Sequence, residues 1–377
     1  MLVRDLIKII HRVAPPDLAA EWDNSGLQIG SPDQPVRKIG LALDVTPQTL
    51  ALALKAKCDL LLAHHPLLFK PIKNINFDRE PGSLIKTAIA GGLTVISAHT
   101  NWDSAGRGVA RALADLLELQ NQRPLETALR DFYKLVVFVP VGYETQVREA
   151  LFLAGAGRVG GYGKCWFGAS GEGGYQAPED GQPFIGQSGR EARTRESRIE
   201  VIVPRHLTEA AAEAVLKHHP YEEPAFEFHS VKIYGRDQGL GRLGDWAPPR
   251  DVLAELSRVT GLTGFKWAGP RPERVERVAL LPGSGGSFVR MAHGLGAQVL
   301  ITGDVDYHEA LEAEGLGLTV VDVGHFESEW PGVLQLARVL REEFERENIE
   351  VEWEVLNQSP VWHYEIPLRR LDEPHTL

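Results

Sequence analysis

Short apolar runs alternate with helical patterns along the first third of the chain. Ile39–Leu43, Asp59–Ala63 and Leu93–Ala98 read as buried strands, because each is a mostly apolar stretch bounded by turn residues. Thr46-Pro47 has the residue types that begin a helix, and a further helix is predicted over Gly106–Leu117. This alternation predicts a mostly parallel sheet covered by helices.

The middle of the chain has a different pattern. Apolar strands are predicted at Lys134–Pro140, Arg198–Val203 and Ala225–Ile233, with helical patterns between them and a glycine-rich stretch over Gly155–Gly189. Two β-α-β units in this order are typical of a ferredoxin-like α+β domain. The glycine-rich stretch lacks the Gly-Lys-Ser/Thr of a Walker A loop, so we interpret it as glycine turns within strands and loops.

The strand–helix alternation returns near residue 234. Further apolar strands precede a long amphipathic helix, predicted over Gly332–Arg346. The sequence therefore predicts an α/β fold in which residues 1–130 and 234–377 are two halves of one domain, with mostly parallel sheets covered by helices. Residues 131–233 would form an inserted domain, since exposed loops accept inserted domains readily.

Composition narrows the classes of function. The chain has 377 residues and a net charge of −11, so it lacks the overall basic surface that nucleic-acid partners require. Its two cysteines, Cys58 and Cys165, argue against a disulfide framework and against a cysteine-rich zinc site. No run approaches the roughly 18 apolar residues of a membrane span, and Met1–Pro16 lacks a signal-peptide pattern. We therefore expect a soluble cytoplasmic protein without a membrane partner.

Four predicted strands end in histidine and carboxylate residues. These ends are His64-His65, His99 to Asp103, Asp304 to His308 and Asp322 to Glu329. Ligands of open α/β sheets bind beyond the carboxyl ends of the strands, so the four ends can build one site. His64-His65 alone is equally compatible with two polar loop residues, but the four ends together favour a metal site. Imidazole with carboxylate suits zinc, iron, manganese or nickel, and does not distinguish among them.

Three other polar stretches each have two interpretations. Trp22-Asp23-Asn24 is typical of a turn whose side chains cap their own backbone. Pro282–Ser287 follows a strand and precedes a helix, so it is either a tight turn or an anion site formed by free N–H groups. His218–Pro224 contains two histidines, as a metal site would, but we interpret it as a helix end followed by a rigid turn.

Five motifs in order along the chain carry a family resemblance. They are WDNSGLQIG, AHHPLLF, HTNWD, TGDVDYHEA and DVGHFESE. Together they resemble the Nif-three-like dinuclear metal-centre family, whose bacterial members are commonly labelled GTP cyclohydrolase 1 type 2 homologs. The resemblance covers nearly the whole chain. The middle segment resembles the PII-like or CutA-like insert of longer members, through KLVVFVP, AGAGRVGGYGKCWF and HHPYEEPAFEF.

The resemblance implies a site for two divalent metal ions in a toroidal homohexamer. Carried over residue by residue, the implied ligands are His64, His65, Asp103, His325 and Glu329. His325 and Glu329 are four residues apart and share a face if the chain is helical there. Glu329 is the candidate to bridge both ions, because a carboxylate offers two oxygens and an imidazole one available lone pair. Ser328 stands where the family often has threonine, which leaves the ligands unchanged.

A two-metal site activates water and stabilises an oxyanion, which is hydrolase chemistry. With the family label, the resemblance implies hydrolysis of GTP or a related nucleotide-like substrate, in which Asp304 or His308 would move protons. The alternative role for these two residues is support of the ligands or helix capping. Analogy of fold does not establish a reaction, so two other classes stay open. One is a metal-delivering protein, and the other is a regulatory hexamer whose middle domain senses a ligand.

Overall fold

Residues 1–356 and 358 are described by the computed structural model. They form two compact units. The first is made of Met1–Ala128 together with the chain from Arg236 onward, and the second is Leu129–Gly235. Strands alternate with helices in the first unit, so the predicted α/β class is confirmed.

The strands and helices are numbered in chain order. The strands are β1 (Gly26–Ile29), β2 (Lys38–Ala42), β3 (Leu60–Ala63), β4 (Thr94–Ser97), β5 (Gln120–Arg123), β6 (Glu126–Pro140), β7 (Phe167–Gln176), β8 (Glu191–Pro204), β9 (Phe226–Leu240), β10 (Arg242–Arg250), β11 (Lys266–Ala268), β12 (Val275–Ser284), β13 (Val299–Gly303), β14 (Thr319–Asp322) and β15 (Glu352–Val355). The helices are α1 (Val3–Val13), α2 (Pro47–Lys55), α3 (Gly82–Ala90), α4 (Thr100–Asp103), α5 (Val109–Leu116), α6 (Glu144–Leu153), α7 (Thr208–His218), α8 (Val252–Thr260), α9 (Val289–Gly294), α10 (Tyr307–Leu316) and α11 (His325–Arg346).

Two mixed sheets build the first unit, with strand orders β1-β4-β3-β2-β15 and β11-β14-β13-β12-β10-β5. Strands β15, β2, β3 and β4 pair in parallel, as do β12, β13 and β14. Strands β1, β5, β10 and β11 pair antiparallel. The first sheet packs against α1 and α11 on one face and against α2 and α3 on the other. Because helices cover both faces of this sheet, all four residues of β3 are apolar and buried.

The second unit contains a four-stranded sheet in the order β7-β8-β6-β9. Helices α6 and α7 bury Val147 and Val215 against it. Its β-α-β-β-α-β element order is that of ferredoxin-like folds. Strand β7 lies within the glycine-rich stretch and pairs with β8 in unbroken register, from Phe167 opposite Glu200 to Gln176 opposite Glu191.

Two helices begin at residues other than those predicted. Helix α5 begins at Val109, because the backbone of the preceding Gly108 is extended. Gly108 lies against the carbonyl of Trp102, where a Cβ would come within 1.8 Å of the oxygen. Helix α11 begins at His325 and continues through Pro331. A proline there removes one helical hydrogen bond, which the burial of the apolar face of α11 offsets. His325 therefore lies on the same helix as the long apolar segment that anchors it.

No helix in the described part of the chain combines the length and the apolar character needed to cross a bilayer.

The two cysteines are free thiols in different surroundings. Cys58 is buried, and burial raises the pKa of its thiol to about 11, whereas Cys165 is half-buried. Since the thiolate is the reactive form, iodoacetamide at about pH 8 is expected to label Cys165 and spare Cys58. Mass spectrometry should find one modified thiol in the native protein and none in native Cys165→Ser. Labelling of Cys58 in the folded protein would contradict this assignment.

Candidate metal centre

The carboxyl ends of parallel strands from both sheets of the first unit meet at one place. Strand β3 runs directly into His64 and His65, and His99 follows β4. From the second sheet, β14 leads into α11, which begins at His325. Nε2 of His65 lies 3.4 Å from Nε2 of His325, so the two sheets place imidazoles in direct contact.

Glu329 lies among these imidazoles and is buried. Its Oε2 is 3.0 Å from Nε2 of His65 and 3.0 Å from Nε2 of His325. Its Oε1 is 3.8 Å from Nε2 of His64. Because His325 and Glu329 are one turn apart on α11, the helix itself sets this pair on one face.

Asp103 reaches the same cluster from the end of α4. Its Oδ1 is 3.5 Å from Nε2 of His64. The preceding residue, Trp102, is fully buried and donates its Nε1–H to the carbonyl of Gly332 at 3.0 Å. This bond fixes the short helix that carries Asp103 against α11, which carries Glu329.

An acceptor outside the cluster holds Nδ1 of each imidazole. His64 Nδ1 is 2.8 Å from the carbonyl of Ala98. In the other three pairs a carboxylate accepts: His65 with Asp44 at 2.7 Å, His99 with Asp23 at 2.8 Å, and His325 with Asp304 at 2.6 Å. With Nδ1 protonated and bound, Nε2 keeps the free lone pair, which is the usual arrangement of metal-ligating histidines.

The carboxylates favour positive charge among the imidazoles. Burial lowers the pKa of His65, but the hydrogen bond to Asp44 and the contact with Glu329 outweigh it and raise the pKa to about 10. Contact with Glu329 raises the pKa of His325 to about 9, despite partial burial. Burial acts to raise the pKa of Glu329, but the three imidazoles outweigh it and hold that pKa well below its usual range. A divalent metal ion supplies the same positive charge while its ligands stay deprotonated.

Two buried atoms of this cluster support metal binding more directly. With each imidazole proton on Nδ1, neither Nε2 of His64 nor Oε2 of Glu329 has a hydrogen-bond partner among residues 1–356 and 358, because the Nε2 atoms that face Oε2 at 3.0 Å then carry lone pairs. Leaving a buried polar atom unsatisfied costs free energy, and ligation of a cation would satisfy both. One possible ligand atom from each of His64, His65 and His99 lies within 4.8 Å of the others, as do those of His65, His325 and Glu329. Imidazole nitrogens and carboxylate oxygens together fit zinc or a first-row transition metal.

The predicted site residues fall into three groups. His64, His65, Asp103, His325 and Glu329 converge as described above. Asp304 lies outside the cluster and accepts a hydrogen bond from Nδ1 of His325. This position agrees with the alternative role of Asp304, which is support of a ligand. His308 is exposed in the first turn of α10, with its ring against that of Tyr307.

Sequence reasoning missed three residues of the centre. His99 belongs to the HTNWD motif but is absent from the implied ligands, although its ring lies 5.2 Å from that of His64. Asp44 lies two residues after the end of β2 at Ala42. A carboxylate that follows a buried strand is the same signal that indicates the other strand ends. Asp23 was interpreted as a turn residue. It does accept the backbone N–H of Asn24, but its carboxylate also accepts from His99.

The other polar stretches have internal partners. The N–H of Gly283 donates to Ser328 Oγ and that of Gly285 to Thr302 Oγ1, each at 2.9 Å, as a tight turn requires. In the middle segment, Nε2 of His219 is 2.9 Å from the carbonyl of Phe138, and its Nδ1 accepts the N–H of Tyr221. Both ring nitrogens of His219 are therefore engaged within the protein.

Gly283 borders the centre and leaves no room for a side chain. A Cβ there would lie 2.3 Å from Oε1 of Glu329, and the backbone φ of +74° is in the left-handed region. We expect Gly283→Ala to displace Glu329 and to weaken metal binding by about 10–100-fold, the range for loss of a group that positions a ligand. The measurement is metal content by mass spectrometry after dialysis.

Gly315→Ala is the matched control for Gly283→Ala. A Cβ at Gly315 meets nothing within 4 Å among the described residues, and the position lies in α10. This variant should keep its metal and gain stability of up to about 1 kcal/mol from helix propensity. Equal metal content in both variants would show that Gly283 does not constrain Glu329.

Fold and site together define an α/β protein with a histidine- and carboxylate-rich candidate metal centre at the carboxyl ends of two sheets. Residues 1–360 match the family described as Duf34/NIF3 (NGG1p interacting factor 3). The chain belongs to this family.

Individual relatives agree with this assignment. A Bacillus subtilis protein named GTP cyclohydrolase 1 type 2 homolog is 36% identical over 327 residues, which cover 86% of this chain and 88% of the relative. A Mycobacterium tuberculosis protein of the same name is 34% identical over 348 residues, 90% of this chain and 91% of the relative. The crystal structure of a Bacillus cereus protein related to NIF3 matches with a TM-score of 0.81 at 34% identity, covering 97% of this chain and 99% of that chain. The family resemblance carried by the five motifs is thus confirmed.

Proposed function

We propose that this chain binds two divalent metal ions and hydrolyses a nucleotide-like substrate. The observation that carries the proposal is the position of Glu329, whose two carboxylate oxygens face the Nε2 atoms of His64, His65 and His325. One carboxylate with imidazoles on both sides is suited to serve two ions at once. The residues that would hold the ions are His64, His65, Asp103, His325 and Glu329, with His99 as an additional ligand.

Bound there, the ions would supply Lewis-acid chemistry for hydrolysis. The protein's own contribution is to fix the ligands. Asp44 and Asp23 hold the Nδ1 protons of His65 and His99, which keeps each Nε2 free to bind. Asp304 does the same for His325, and its side chain is 50% exposed. Because Asp304 contacts both an imidazole and solvent, its carboxylate is our candidate for moving a proton to or from the site.

The names of the relatives support GTP as the first substrate to test. The proposal also includes a toroidal homohexamer in the cytoplasm and an inserted PII-like domain at 131–233, both implied by the family resemblance. The compact unit Leu129–Gly235, with its ferredoxin-like element order, supports the domain assignment.

Metal delivery is the second candidate function. The observation that favours it is the exposure of one edge of the centre, where the His325 side chain is 34% exposed beside Asp304. An ion held at an open edge can pass to another ligand. A delivering protein would release its ions to a competing chelator within minutes, whereas an enzyme would retain them during turnover.

Product analysis of GTP incubated with protein of verified metal content tests the proposal. Hydrolysis at the purine ring should give formate and a ring-opened purine, and both should be lost in Glu329→Gln. Intact GTP in the presence of metal-loaded protein would overturn GTP hydrolysis. If the same preparation gives up its ions rapidly to a chelator, metal delivery becomes the supported function.

A further inference from the structure

Two aromatic side chains stand exposed beside the candidate metal centre. Trp22 is 62% and Phe69 47% exposed, and their ring centroids are 5.6 Å apart at an interplanar angle of 62°. The ring centroid of His99 lies 6.0 Å from that of Trp22 and 6.3 Å from that of Phe69. The ring of His99 lies 5.5 Å from that of His65. The aromatic pair thus continues the imidazole cluster outward to the protein surface.

Trp22 is positioned by the same residue that orients His99. Its neighbour Asp23 accepts from Nδ1 of His99 at 2.8 Å and from the backbone N–H of Thr100 at 3.1 Å. The Asp23 side chain is fully buried. The backbone on which Trp22 stands is therefore fixed relative to the ligands, although its indole faces solvent.

Phe69 is positioned by Asn24 and Gln28, which follow Trp22 in the chain. Asn24 donates its side-chain N–H to the carbonyl of Leu68 at 2.7 Å. Gln28 accepts the backbone N–H of Leu68 at 3.2 Å and donates to the carbonyl of Asn24 at 2.6 Å. The backbone N–H and carbonyl of Leu68, the residue before Phe69, are thus both hydrogen-bonded, so residues 22–28 hold the two aromatic rings together at the centre.

We propose that Trp22 and Phe69 form a stacking site for a planar heteroaromatic ring of the substrate. This inference rests on the proposed function, because it assigns the binding of the substrate's ring to the same centre. A single exposed aromatic residue needs no explanation, but two rings held in contact beside a ligand histidine by a hydrogen-bonded loop form a built surface. Aromatic faces stack on any nucleobase with a gain in affinity of about 5- to 150-fold per base.

Binding to the metal-loaded full chain tests the stacking site. The probes are GTP, ATP and NAD⁺, which carry heteroaromatic rings, and inorganic tripolyphosphate, which carries none. Calorimetry should show that Trp22→Leu and Phe69→Leu each weaken binding of at least one ring-bearing probe by about 5- to 150-fold, and leave tripolyphosphate binding unchanged within about twofold. Trp22→Phe should restore most of the affinity, because it restores an aromatic face.

Leu116→Ala is the control, because Leu116 is as exposed as Phe69 but lies on α5. Metal content should equal that of the wild type in every variant. The inference is overturned if none of the ring-bearing probes binds, or if tripolyphosphate binding falls equally in Trp22→Leu. It is also overturned if Trp22→Leu lowers the molar mass by light scattering, because the aromatic pair would then contact a second copy of the chain.

Measuring GTP binding and GTP hydrolysis separately distinguishes failure of the stacking site from failure of the proposed hydrolase function. GTP that binds in a Trp22-dependent manner but is not hydrolysed would support the stacking site and overturn GTP hydrolysis. GTP hydrolysed with unchanged KM and kcat in Trp22→Leu and Phe69→Leu would overturn the stacking site alone.

Discussion

Replacing Glu329 by glutamine is expected to remove tightly bound metal while preserving the fold. Glutamine keeps the volume of the side chain but loses its negative charge, and one oxygen becomes an N–H donor facing the imidazoles. Loss of a residue that only orients a ligand already costs about 10–100-fold in metal affinity. Loss of Glu329, the proposed ligand that lies between His65 and His325, should therefore cost at least about 100-fold. Metal titration with a competing chelator measures the change.

Glu343→Gln is the matched control for Glu329→Gln. It makes the same substitution on the same helix, where the mostly buried Glu343 pairs with Arg12 and Arg346 rather than with any residue of the centre. The two positions are 14 residues apart on this helix, which corresponds to about 21 Å. Glu343→Gln should bind metal as the wild type does. If Glu329→Gln retains full metal affinity and both variants melt like the wild type, Glu329 is not a ligand.

The strand ends explain how much of the centre could be predicted from sequence. Several buried strands that run into histidine or carboxylate together indicate a site, because such residues are costly in a core. This signal indicates His64-His65 and the stretches that contain Asp103, His325 and Glu329, whereas the choice of those three residues as ligands is implied by the family resemblance. It could also have identified Asp44, which stands just past β2 and accepts from His65.

The remaining contacts depend on folding and carry no local signal. Asp23 lies 76 residues from His99, and no sequence pattern indicates that its carboxylate accepts from that imidazole rather than only from its own turn. The closeness of Gly283 to Glu329 is equally non-local, because it arises where β12 passes the first turns of α11. Tertiary packing sets these contacts, so they became visible only in three dimensions.

The fold was predicted best where the chain carries continuous apolar runs between helical patterns. Continuous apolar runs gave β2, β3 and β4, and their parallel pairing followed from the helices between them. The start of α11 differs from the prediction because Pro331 is typical of a helix boundary, although the helix already begins six residues earlier, at His325. Strand β7 was obscured because glycine has no side chain from which a period can be read.

Replacing Asp23 by asparagine is expected to weaken both the metal centre and the fold around it. The buried carboxylate accepts from Nδ1 of His99, from the hydroxyl of Ser25 at 2.6 Å, and from the N–H and hydroxyl of Thr100. Burial acts to raise the pKa of Asp23, but these donors outweigh it and hold the pKa well below its usual range. Asparagine offers one acceptor oxygen in place of two, so at least one donor loses its partner.

Losing a hydrogen bond to a charged group typically costs about 1.5–3 kcal/mol, and loss of a ligand's orienting partner costs about 10–100-fold in metal affinity. Chemical denaturation of metal-free Asp23→Asn should therefore show a lower free energy of unfolding, and chelator competition should show weaker metal binding. Asp33→Asn serves as the control, because Asp33 pairs with Arg4 at the surface and should change stability by less than about 1 kcal/mol. If metal affinity in Asp23→Asn matches the wild type although stability falls, the charge of Asp23 is not needed to orient His99 for metal binding.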